Sequence, residues 1–132
     1  IEVNGESAYI TYSSRSAKEE QIELSIAQVN EQVEALGASV RHTGRYPGWD
    51  FIPESELRDT YVKKFKEIMG KDVQTVVIHA GLECGIIKSR IPDMDIISVG
   101  PNMRNIHTPD EALQLESCER LFTVLKAVLS NK

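Results

Sequence analysis

Val73-Gln74-Thr75-Val76-Val77-Ile78-His79-Ala80-Gly81-Leu82-Glu83-Cys84-Gly85 is the stretch on which the fold turns. Six residues rich in β-branched side chains run into a glycine turn and then into helix-compatible sequence. That pattern predicts a buried strand over 73–78 followed by a short helix over 82–90. A strand feeding a helix through a glycine is the elementary step of a layered α/β domain.

Working outward, the same alternation recurs on both sides. Upstream, Leu57, Tyr61, Phe65 and Ile68 recur at helical spacing and end at Gly70, which predicts a second helix. Downstream, residues 94–99 read as a strand. Thr108-Pro109-Asp110-Glu111 then predicts the start of a last helix, with Thr108 as N-cap, Pro109 at its first position and Glu111 closing a capping box. Cys118, Leu121, Leu125 and Val128 would form its core face. Toward the N-terminus, residues 8–13 read as a strand and 17–36 as an amphipathic helix. Ser16 and Glu19 suggest its capping box, Ile22, Ile26, Val29, Val33 and Leu36 its apolar face, and Gly37 its stop. Residues 38–43 are a candidate second strand. The order is β-α-β, then α-β-α-β-α, and it favours α/β layering over a helical bundle. Arg45-Tyr46-Pro47-Gly48-Trp49 interrupts the alternation, and we place the boundary between two structural units there.

Bulk properties narrow the function. The chain has 132 residues, with 15 basic and 20 acidic side chains, for a net charge of −5. An acidic balance disfavours a nucleic-acid partner. No apolar run approaches the ~18 residues of a membrane span. The two cysteines, Cys84 and Cys118, have no framework spacing, which fits a reducing compartment, most simply the cytoplasm. The chain begins Ile1-Glu2-Val3 without an initiator methionine, which leaves room for upstream sequence.

Three segments could carry chemistry. The His79–Gly85 turn lies at the carboxyl end of a predicted strand, where sites of open α/β sheets gather, and helix amides there could bind an anion. It reads equally as a tight turn around a buried cysteine. His107 lies just before a predicted helix cap and could ligate zinc, but one imidazole is not a metal site. Taken alone, it reads as a capping or surface histidine. Arg15, in Ser13-Ser14-Arg15-Ser16, suits bidentate carboxylate recognition or simply faces water. Cys84 with His79 or His107 would imitate a Cys–His hydrolase, though no third orienting residue is evident. Asp93 and Asp95 flank Met94 at a strand start and read as turn residues.

Taken together, His-Ala-Gly-Leu-Glu-Cys-Gly over 79–85, Ser-Val-Gly-Pro over 98–101, His-Thr-Pro-Asp-Glu over 107–111 and Tyr-Pro-Gly-Trp over 46–49 resemble the aminoacyl-histidine dipeptidases. These belong to the carnosinase and aminoacylase clan of di-zinc exopeptidases. The resemblance covers essentially the whole chain, and four ordered motifs are far more specific than one.

The resemblance implies a C-terminal fragment of a longer α/β enzyme. Residues 1–45 would be the second half of an α+β lid or dimerisation domain, and residues 46–132 the C-terminal portion of the α/β catalytic domain. It implies hydrolysis of Xaa-His dipeptides by metal-activated water, with two zinc ions (or manganese or cobalt). His107 would be a metal ligand, Arg15 would grip the substrate carboxylate, and Glu83 and Gly81 would belong to the loop lining the substrate pocket. The remaining ligands and the general base would lie upstream, so no catalytic base is expected in this chain, which would be inactive alone. The parent would be a cytoplasmic homodimer. The competing reading is a stand-alone, non-catalytic α/β module for dimerisation or binding.

Overall fold

The structure, a computed structural model, describes residues 1–78 and 83–130. In chain order its elements are β1 (Glu2–Asn4), β2 (Ser7–Tyr9), α1 (Glu19–Ala35), α2 (Glu56–Met69), α3 (Glu83–Arg90), β3 (Met103–Arg104), β4 (Ala112–Leu113) and α4 (Leu115–Leu129). The chain divides into two compact units. One comprises Ile1–Phe51 and Val77–Arg90, the other Ile52–Val76 and Ile91–Lys132.

In the first unit, Gly5-Glu6 turns β1 back on β2 in an antiparallel ladder pairing Glu2 with Tyr9 and Asn4 with Ser7. A two-residue turn opening with a positive-φ glycine is a hairpin signal, yet the predicted strand over 8–13 passed over it. The ladder ends at Tyr9. Helix α1 forms two residues inside its predicted start. Its N-cap is Lys18, with no side-chain cap. Ser16 Oγ instead accepts from the Lys18 N–H at 3.1 Å, and Glu19 is drawn to another segment, so the predicted capping box does not form. The helix closes in a Schellman turn: Gly37 N–H donates to Glu34 O at 2.9 Å and Ala38 N–H to Val33 O at 3.0 Å. No residue of α1 is buried. Ile22, Ile26, Val29 and Val33 are half-buried, and Leu36 is 82% exposed.

The second unit is built on α2 against α4. Ser55 caps α2, its Oγ accepting from Arg58 N–H at 3.0 Å. The Asp95 carboxylate accepts from Ser55 Oγ at 2.7 Å and from Leu57 N–H at 2.9 Å. A carboxylate there meets two donors at the positive end of the helix dipole. Arg58 donates to the Ile52 and Pro53 carbonyls at 2.7 and 2.5 Å, which fixes the approach to the helix. The helix ends at Gly70 in the left-handed conformation. Tyr61 is buried with Phe65 one turn on, their ring centroids 6.2 Å apart. Burial raises the Tyr61 phenol pKa. On α4, Val124 is fully buried and Ser117 nearly so, with Cys118, Leu121, Leu125 and Val128 half-buried. The apolar face is the predicted one, turned so that Ser117 and Val124 lie deepest.

Several expected elements differ. Among the described residues the only sheets are the two hairpins, β1–β2 and β3–β4. Residues 38–43, 73–78 and 94–99 join no ladder. Val76, Val77 and Ile78 are 71%, 50% and 50% exposed, so the predicted buried strand is not buried here. A strand is stabilised by its neighbours, and this segment has none among the described residues. The last helix also starts later than predicted, at Leu115 rather than Pro109. The chain first turns back, pairing Met103 with Leu113 and Arg104 with Ala112.

Candidate functional site

That turn carries His107. Asn105 and His107 both take positive φ, 51° and 67°, a conformation side-chain-bearing residues seldom adopt. The turn is held by its own polar groups. Thr108 donates to Asn105 O through its N–H at 3.1 Å and its Oγ1 at 2.8 Å. Glu111 N–H donates to Thr108 O at 3.1 Å, and the Glu111 carboxylate accepts from His107 N–H at 2.9 Å. These bonds consume the groups the predicted capping box needed, which is why Thr-Pro-Asp-Glu is a hairpin loop and not a helix start. At its base, Gln114 N–H donates to Asn102 O at 3.0 Å, and Ser117 Oγ accepts from Asn102 N–H at 2.8 Å. The His107 side chain is exposed, and its imidazole makes no hydrogen bond among the described residues. Six hydrogen bonds thus maintain a loop with two positive-φ residues, and the His107 imidazole stands outside them.

Arg15 and Glu83 belong to the first unit, at two places that converge on the Tyr46–Trp49 segment. Arg15 lies just before α1 and is exposed; Glu83 is the first residue of α3 and is exposed. Pro47 and Gly48 meet the backbone two residues beyond each of them, at Ala17 and Gly85. A Cβ on Gly48 would lie 2.5 Å from Ala17 O and 2.9 Å from Glu19 N, and one on Gly85 would lie 2.9 Å from Pro47 O. Three backbones therefore cross at near contact, which only glycine permits. Ala17 and Gly85 are both buried there. The crossing is also tied by charge. The Glu19 carboxylate accepts from Gly48 N–H at 2.7 Å and from the Arg45 guanidinium at 2.5 Å, and Arg45 also bridges to Glu23. The Gly48 N–H first, then Arg45, lowers the Glu19 pKa, against a smaller opposing effect of desolvation.

The third predicted substrate residue, Gly81, and His79 lie outside the described residues. His42 is tied to α1, its Nε2 2.8 Å from Asn30 Oδ1. Asp95 serves as the α2 cap. Cys84 is a half-buried free thiol with no hydrogen bond to a base among the described residues, which gives the Cys–His reading no support. No group of three His, Cys, Asp or Glu side chains that could hold a metal occurs among the described residues. Sequence reasoning missed the Glu19–Gly48 tie and the Asp95 cap, both of which join residues far apart in sequence. Ser55, directly before the helix, signals its own N-cap but not the part Asp95 plays.

The profile of peptidase family M20/M25/M40 matches residues 6–131, and the chain belongs to that family. It is 36% identical over 93 residues to the cytosol non-specific dipeptidase of Escherichia coli (strain K12), an alignment covering 70% of this chain and 19% of that protein. The crystal structure of aminoacylhistidine dipeptidase from Vibrio alginolyticus superimposes with a TM-score of 0.73 at 31% identity, covering 86% of this chain and 23% of that one. This chain therefore has the mixed α/β fold of the corresponding part of an M20 dipeptidase and is related to dipeptidases. It spans about a fifth of the length of the curated relative. No helix among the described residues is long and apolar enough to cross a membrane.

Proposed function

We propose that this chain is the C-terminal part of a metal-dependent cytoplasmic dipeptidase that cleaves Xaa-His dipeptides, and that it is inactive alone. The observation that carries the reading is His107: a family member presents an uncommitted imidazole from a hairpin loop with positive φ. One imidazole fits one ligand position. It does not make a site, because zinc takes three or four ligands, so the others, and the general base, come from sequence outside this stretch. When bound, the metal supplies polarisation of the scissile carbonyl and an activated water.

The chain's own residues then have three tasks. The hairpin loop fixes where the His107 imidazole is offered. Arg15 binds the substrate's terminal carboxylate, which makes the enzyme an exopeptidase by position. Glu83, with Gly81, lines the pocket toward the substrate's amino end. Residues 1–45 act as half of a lid and residues 46–132 as the end of the catalytic domain. The half-buried apolar face of α1 is the homodimer surface. The same open face favours the second reading, a non-catalytic dimerisation module.

The test is His107→Ala in the full-length parent protein, with His42→Ala as the control. His107→Ala is expected to lose bound metal, read by elemental analysis, together with Xaa-His hydrolysis, while His42→Ala keeps both. Metal content unchanged in His107→Ala would overturn the ligand assignment. Turnover by the 132-residue chain alone would overturn its incompleteness.

A further inference from the structure

The backbone crossing at Gly48 lies close along the chain to both assigned substrate residues. Its two outer strands of chain lead directly to the two residues assigned to opposite ends of the substrate. Arg15 is two residues before Ala17, whose carbonyl lies against Gly48, and Glu83 is two residues before Gly85, which lies against the Pro47 carbonyl. The links are short: Arg15 directly precedes the turn that Ser16 Oγ closes by accepting from the Lys18 N–H, and Glu83 and Gly85 lie in one helix. Glu19 then locks the middle segment in place through the Gly48 N–H.

We propose that this crossing is a spacing device. It sets how far apart the backbones bearing Arg15 and Glu83 stand when the lid half lies against the catalytic portion, so that a short peptide is gripped by its carboxylate at one end and met near its amine at the other. Gly48, Gly85 and Glu19 are thus positioning residues for substrate recognition. They act through Arg15 and Glu83 and touch no substrate themselves. Any side chain at Gly48 or Gly85 must push the segments apart. Loss of the Glu19 carboxylate frees the central segment without adding bulk. The inference rests on the reading of Arg15 and Glu83 as substrate contacts.

The experiment uses the full-length protein and two substrates, an Xaa-His dipeptide and its C-terminal amide. The readout is the ratio of their kcat/KM values, which general damage to the fold leaves unchanged because it lowers both alike. Arg15→Ala is expected to abolish the preference for the free acid. Gly48→Ala is expected to reduce that preference roughly tenfold or more, since small misplacements of a positioning group are costly, with kcat/KM for the amide falling by a smaller factor through the Glu83 side. Glu19→Ala should shift the ratio in the same direction by about threefold, as an exposed ionic tie contributes modestly. Glu19→Gln, which keeps one acceptor for the Gly48 N–H, should recover part of that loss. If Arg15→Ala leaves the preference intact, the carboxylate reading falls. If Arg15→Ala abolishes it while Gly48→Ala and Glu19→Ala lower both substrates alike, or neither, the reading stands and the spacing device is overturned. Should Gly48→Ala fail to fold, Glu19→Ala decides alone, because removing an exposed carboxylate creates no cavity and no overlap.

Discussion

Helix α4, which packs on α2, buries Val124 completely, whereas α1, two residues longer, buries nothing. The unit containing α2 and α4 is held by apolar contact and well-made helix ends. The other unit is held by a polar tie and a glycine crossing, while its longest helix keeps an open apolar face. Hydrophobic burial scales with area removed from water, so the two units should differ sharply in how they respond to a charge placed on a helix face. Val124→Asp in the 132-residue chain leaves an unpaired charge buried and should cost about 3–5 kcal/mol, read as a lower midpoint in denaturant followed by helical circular dichroism. Ile26→Asp, on the half-buried face of α1, should cost about 1 kcal/mol or less. Equal costs would break the contrast and mean that the α1 face is covered in solution.

The helix starts differ in the same direction. α2 has Ser55 as its cap, reinforced by Asp95; α1 starts at Lys18 with no side-chain cap. Ser55→Ala is expected to cost about 1 kcal/mol. Ser55→Ala and Asp95→Ala combined should cost less than the sum of the two, because each removes part of one network. Lys18→Ala should be near neutral. Strict additivity of the first pair, measured by a double-mutant cycle, would show that Asp95 does not reinforce the cap.

The contrast also explains what the sequence could disclose. Helical periodicity located α1 to within two residues of its start, because the 3.6-residue repeat depends only on neighbours along the chain. The same repeat names an apolar face without saying whether the chain contains anything to cover it, so burial along α1 was illegible. Residues 73–78 fail for the same reason: Val76, Val77 and Ile78 specify a strand in composition, but a ladder needs a partner that composition cannot supply. His107 illustrates a local competition. Thr108 and Glu111 have the spacing of a capping box, and a hairpin loop used both groups first, a choice made by the pairing of residues 103–104 with 112–113. As a candidate ligand, His107 was legible only through resemblance to a family. Pro47-Gly48 was legible as a break in pattern, while its contact with Ala17 and Gly85 was not, because that contact joins three segments distant in sequence.

The weakest expected effect tests how the first unit is tied. Glu19 has its pKa lowered from the ordinary 4.5, chiefly by the Gly48 N–H and then by Arg45. A carboxyl with a depressed folded-state pKa contributes its stabilisation fully above the unfolded value and loses it as pH falls through the folded one. The tie should therefore persist through pH 4.5 and release only below it. Both partners are about half exposed, so solvent screens the energy, and global unfolding is a poor reporter. The Gly48 amide resonance is the better one, because it senses its acceptor directly. Its chemical shift should titrate with a midpoint below 4.5, and Glu19→Gln should abolish that inflection while leaving the amides of α2 unmoved. A midpoint at or above 4.5 would mean that the carboxylate does not hold Gly48 in solution. The glycine crossing would then have to keep Arg15 and Glu83 in place by backbone contact alone.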